Sequence, residues 1–398
     1  MKRLISIVFF LVSMGFSPLL GQSVNIGKKS FPTIQAAVNK AKPGSVIEIR
    51  GVHKESLKLN KKGITLRGEN PLTDVIEGVS GSVILADGEY GAQDLTIENL
   101  TIKGGNSIQN PGGGISMKRI AGTVKLTNLI VTRNKSEKAA GGVFIAATNA
   151  IMDRCWIHEN YAKQFGGAMV LQSGNESSSE IKVNNSVLSS NTSENHGGGL
   201  YVNGNPKWGD QTYLNVSMEN SIITYNSSAK RGGAIFVKGA LHQKDSVTNT
   251  SFKLNHVTIA YNRSTAEKGN LPGMSFYGVK GEEPAFSVMN SLIVANGGAN
   301  EPDVHFAKCE VREHENNIYG KVMGLKVTAV DMTSSQVINN PMRWGLSADL
   351  TKAAGAMPEL RLNANSVAID KANPETALDT DINGKARTQA DVGAVEFQ

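Results

Sequence analysis

LTNLIVTRN (126–134), MDRCWIHEN (152–160), VNNSVLSSN (183–191), MENSIITYN (218–226), LNHVTIAYN (254–262) and VMNSLIVAN (288–296) are six versions of one nine-residue phrase, each closing on asparagine. Successive closing asparagines are 26, 31, 35, 36 and 34 residues apart, so the period is loose while the unit is constant. A unit of this length, made of short apolar runs without helical spacing, describes a solenoid. Alternation decides which one. The third residue before each asparagine is Val131, Ile157, Leu188, Ile223, Ile259 or Ile293, and the fifth is Leu129, Cys155, Ser186, Ser221, Val257 or Ser291. Positions two apart share one face of a strand, so both columns are expected to point inward.

A second run follows in most units, led by glycines: GGGISM (112–117), GGVFIA (141–146), GGAMVL (166–171), GGGLYV (197–202) and GGAIFV (232–237). Aligned on the glycine doublets, Ile115, Val143, Ala168, Leu200 and Ala234 form one inward column, with Met117, Ile145, Val170, Val202 and Phe236 as the next. The reading is an all-β chain: a single-stranded right-handed parallel β-helix over 22–320, continuous from 45. Its asparagines should stack at one corner, since asparagine tolerates left-handed backbone and bonds to its neighbours above and below. Glycine should permit the next bend. Structural duty alone explains most of the repeated residues.

At the N-terminus Lys2 and Arg3 precede the apolar run ISIVFFLVSMGF, Pro18 and a small-residue exit. This predicts a signal peptide over 1–21 and export to the cell surface, the medium or the periplasm. The run is too short for an uncleaved anchor, so no integral membrane segment is expected after cleavage. Beyond the leader, 39 basic residues face 35 acidic ones with no basic block, which argues against nucleic acid and mildly favours an acidic polymer. Cys155 and Cys309 would lie about five coils, or about 24 Å, apart, beyond the ~7 Å limit of a disulfide. Two buried free thiols are therefore expected.

FPTIQAAVNKAKPG (31–44) places Ile34, Ala37, Val38 and Ala41 on one helical stripe, suited to covering the open end of a β-helix. Through Thr33, Ile34, Gln35, Ala36, Lys42, Pro43 and Gly44 it resembles the start of the pectate-lyase-like β-helix superfamily. The repeats resemble those of chlamydial polymorphic outer-membrane proteins. SVAID (366–370), DINGKAR (381–387) and DVGAVEF (391–397) resemble, in order, the ending of choice-of-anchor Q proteins. That resemblance implies a C-terminal segment, 321–398, packing on or capping the solenoid. It also implies release rather than covalent anchoring, since the chain stops at Gln398 without a sorting segment.

In the turns after the asparagines, Lys138, Gln164, Asn195 and Lys230 are equivalent, followed by His196 and Arg231. A uronic-acid lyase needs a cation to neutralise the carboxylate and a base to take the α-proton. The catalytic candidates are therefore Lys230 or His196 as base and Arg231 as neutraliser, with Lys138, Trp156 and Tyr201 as substrate-binding candidates. Ordinary solvated turn residues would look the same. Outward apolar columns, Ile130, Trp156, Val187, Ile222 and Leu292, then Phe144, Met169, Tyr201 and Ile235, suit either sugar stacking or cover by residues 300–398, with cover favoured. DTDINGK (379–385) opens like a calcium loop, but Ala390 holds its twelfth position, so an Asx-rich turn is the better reading. No metal or cofactor is expected, and no complete catalytic motif is present. The function read is binding of an acidic polysaccharide by a monomer, with cleavage by a lyase or glycoside hydrolase activity left open; the alternative is a non-catalytic adhesin or structural envelope protein.

Overall fold

The computed structural model describes residues 21–397 except 60–62, 91–93, 175–177, 205–212, 240–248, 266–271, 278–285, 298–301, 308–310, 324–335, 338–345 and 350–358. All of the expected leader but Gly21 lies outside these residues. So do Cys309 and the middle stretches of the insertions at 173–180, 203–212 and 238–250.

Each coil lays down three strands on three faces. In one coil Ser179–Asn184 belongs to the first face, Val187–Ser189 to the second and Leu200–Asn203 to the third, with Thr192–Ser193 forming a short ladder at the corner between the last two. Strands pair in parallel with the same strand of the next coil, giving sheets of twelve, eleven and ten strands plus a six-stranded corner sheet. The chain is a right-handed parallel β-helix. An antiparallel N-terminal hairpin, Ser23–Ile26 with Lys29–Ser30, extends the first face. The helix Ile34–Lys40 buries Ile34, Ala37 and Val38 against that end, as its stripe requires. Thr33 caps it by accepting the Ala36 N–H at 3.0 Å, and the Glu55 carboxylate accepts from Ile34 and Gln35.

Both inward columns of the second face are as expected: Val131, Ile157, Leu188, Ile223, Ile259 and Ile293 are at most 1 % exposed. The asparagine ladder is continuous. The side-chain oxygens of Asn160, Asn191, Asn226, Asn262 and Asn296 each accept both the backbone N–H and the Nδ2 of the preceding coil's asparagine at 2.9–3.1 Å. Asn134 in turn accepts from the Gly105 N–H. Yet the asparagine is not the left-handed residue. Positive φ belongs to the residue before it: Arg133, Glu159, Ser190, Tyr225, Tyr261 and Ala295. A second left-handed column lies six residues upstream of the ladder, at Asn128, Arg154, Asn185, Asn220, His256 and Asn290.

The third face corrects the doublet alignment. Val143 pairs with Met169, Leu200 and Ile235 in one column, and Phe144 with Val170, Tyr201 and Phe236 in the next. Met169 and Ile235, expected outward, belong to the main core, whereas Val170 and Phe236, expected inward, lie on the outer face. Ala168 and Ala234 are buried at the bend, each bonded to a glycine of an adjoining coil. A one-residue slip exchanges faces.

The C-terminal segment lies on the second face. Val187, Ile222, Ala260, Leu292, Val294 and Ile318 form one cluster with Leu360, Leu362, Ala368, Val392, Ala394 and Val395. The left-handed column supplies the polar docking points: Asn220 Nδ2 to Thr380 O at 2.8 Å, Asn290 Oδ1 from Asn373 N at 2.7 Å and Asn316 Nδ2 to Lys371 O at 2.7 Å. Asp381 accepts from the backbone of Asn383, Lys385 and Glu396, which is the work of an Asx turn. Arg387, its side chain 1 % exposed, bonds Glu396 at 2.8 Å and also reaches Gly393 O and Asn220 Oδ1. Cys155 is free and buried, and burial pushes its thiol up to about 12. Among the described residues no helix is long and apolar enough to cross a membrane.

Candidate functional site

Backbone pairing places the expected turn residues in register. The Gln164 N–H donates to Lys138 O, and the Lys230 N–H donates to Asn195 O, so the four occupy equivalent places in successive coils. Next to them Ala139, Phe165, His196 and Arg231 form a parallel row, joined through the N–H of the residue that follows each. This edge borders the outer side of the third face. Lys138 and Lys230 are exposed, while His196 and Arg231 are half-buried.

Four rings form a two-by-two array over the edge. Phe165 and His196 are parallel at 3° with centroids 6.2 Å apart, as are Tyr201 and Phe236 at 3° and 5.6 Å. Across the rows, Phe165 stacks on Tyr201 at 4.7 Å and His196 on Phe236 at 4.5 Å. The regularity follows from parallel strands about 4.8 Å apart repeating one residue type per coil. Beside the array runs a groove of about 260 Å³ with an apolar floor of Phe144, Val170 and Tyr201 and polar walls of Lys138, Gln164 and Gln172. Among the described residues no carboxylate lines it. Tyr201 is only 6 % exposed and stacked on Phe165 and Phe236, so it does not offer the open ring face that sugar stacking asks of it.

His196 is held neutral. Burial, reinforced by Lys230, pushes its imidazole down to about 4. Its Nδ1 accepts the Arg231 backbone N–H at 3.2 Å, which leaves the hydrogen on Nε2. In this tautomer its accepting nitrogen is already occupied.

Trp156 is elsewhere. It stands on the second face, stacked on His158 at 3.8 Å, donating to Ser189 Oγ at 2.9 Å and packed against the C-terminal cluster. The structure thus gathers Lys138, His196, Tyr201, Lys230 and Arg231 along one face and separates Trp156 from them. Phe165 and Gln172 were missed in the sequence, although Phe165 precedes the glycine of its turn as His196 does. No group of three or more His, Cys, Asp or Glu able to hold a metal occurs among the described residues.

A right-handed β-helix carrying a polar, ring-lined groove on one outer face is therefore the class of molecule that fold and site define. No family model and no curated protein matches the chain. A solved structure to which it is similar is that of pectate lyase Pel9A, at 13 % identity and a TM-score of 0.37, covering 92 % of this chain and 91 % of that one. The likeness is too distant to carry an argument about activity.

Proposed function

We propose that this is an exported glycan-binding β-helix that seats a polysaccharide segment in the groove of the third face. The observation that carries the reading is the ring array beside an edge of lysine and amides, with no carboxylate among the described residues of the groove. Apolar side-chain surface suits the C–H groups of sugars, amides suit their hydroxyls, and Lys138 and Lys230 favour an anionic chain over a cationic one. If the bound polymer is also cleaved, Lys230 is the better base, since His196 has its accepting nitrogen engaged, and Arg231 would meet the substrate carboxylate.

Calorimetric titration with neutral and uronic-acid polysaccharides tests the reading. Binding that weakens at least several-fold in Phe165→Ala and Lys138→Ala supports it. Equal affinity in the wild type and both variants sinks it. Absorbance of an unsaturated product, lost in Lys230→Ala with binding retained, would add catalysis; binding without product leaves a lectin-like role.

A further inference from the structure

In the left-handed column of the second face, one coil departs from the asparagines that bond the C-terminal segment. His256 takes the place held by Asn220 in the coil before and Asn290 in the coil after. It is fully buried, its Nδ1 meets Gly393 O at 3.2 Å and its Nε2 has no hydrogen-bond partner. Gly393 sits at φ +109 and donates its N–H to Asn290 O at 2.7 Å, while Ala394 donates to Thr258 Oγ1 at 2.9 Å. The segment thus closes over the imidazole where its backbone bonds the solenoid in two successive residues.

We propose that residues 359–397 are an acid-releasable strap and that His256 is its trigger. A protonated imidazole here would hold a second N–H that lacks a well-formed partner, offset only in part by the Asp391 backbone, and a charge near the buried Arg387 guanidinium. Released, the strap uncovers an apolar stripe through Val187, Ile222 and Leu292. Arg387 is the charged group that acts on the imidazole, and the carboxylates of Glu396, Asp381 and Asp391 in turn face Arg387. Burial, then Arg387, depresses the imidazole to about 3. The docked form therefore binds fewer protons than the released form, so the contribution of His256 to docking is complete above imidazole's ordinary 6.5 and is lost as pH falls toward 3. Asp391 and Glu396 act the opposite way, since burial raises both and docking favours their protonated forms. They remain in a His256 variant, so that variant isolates the imidazole.

Hydrogen exchange followed by mass spectrometry on the intact protein, corrected for intrinsic exchange, compares peptides from 366–397 with solenoid peptides from 183–191. Between pH 7.5 and 5, strap protection should fall on the order of 30-fold, the population change expected 1.5 units below the ordinary imidazole value, while the solenoid holds. His256→Asn, which restores the residue type of the column, should abolish that fall. Equal strap protection at the two pH values in the wild type, or the same fall in His256→Asn, overturns the proposal.

Discussion

The ladder asparagines illustrate how one residue type serves the solenoid. Each buried carboxamide satisfies the backbone of the coil before it, and its Nδ2 also bonds a carbonyl there, as Asn191 does to Ile157 O at 2.9 Å. Asn191→Ala leaves the Asn160 N–H and the Ile157 carbonyl without this partner. Its stability should fall by about 1–3 kcal/mol, read from the denaturation midpoint. Glycine is required for two distinct reasons in adjacent positions. Gly197 has φ +70, whereas a Cβ at Gly198 would sit 2.4 Å from both Gly233 O and Ser227 O of the next coil. Gly198→Ala should therefore force the coils apart and destabilise more than Asn191→Ala, a ranking that one set of thermal melts checks.

Among the elements, the third face carries the ring array and the groove. Its groove exists because strands in register stack Phe144, Val170, Tyr201 and Phe236 outward. If the edge binds an anionic glycan, Lys230→Ala with Arg231→Ala should weaken binding and flatten its dependence on salt, because exposed charge contacts are screened as ionic strength rises. The fold should persist, since Lys230 is exposed on a turn. An unchanged salt slope would remove this edge as the contact surface. Asparagine spacing made the second face legible, because the distance from each asparagine to its strand never varies. The glycine doublet misled on the third. In the coil at 141 the left-handed residue is Ala140 and the doublet follows it, whereas at 166 the doublet's own first glycine is left-handed. Backbone conformation, not the pair of glycines, is what repeats.

For the whole molecule, the C-terminal segment completes the second face. Its three motifs interlock: Asp391 accepts the Asp370 N–H at 2.8 Å, Asp381 organises its turn, and Arg387 joins both to Glu396 and the solenoid. Arg387→Ala takes the cationic partner from the Glu396 carboxylate, whose side chain is 12 % exposed, and leaves it the Asp391 N–H at 3.1 Å. Removing one partner of a buried pair costs about 3–5 kcal/mol, so the strap should lose most of its docking free energy. A dye that fluoresces on apolar surfaces should then bind more strongly, with far-ultraviolet dichroism of the solenoid nearly unchanged.

The sequence by itself determined the repeat, the inward columns of the second face, the capping helix and the cationic turn residues, because each follows from periodicity within one coil. It also showed the Asx-rich turn at 381–385 through its own local spacing. On the second face the sequence also showed the outward column and favoured its cover, but only tertiary structure decided which column of the third face stays outside and that the two faces end differently. On the second face the column is covered by a segment from beyond the last repeat, and on the third it becomes the wall of a groove. Those outcomes depend on contacts between coils and across the chain, and a side chain's alternation within a strand carries no record of what is later laid upon it.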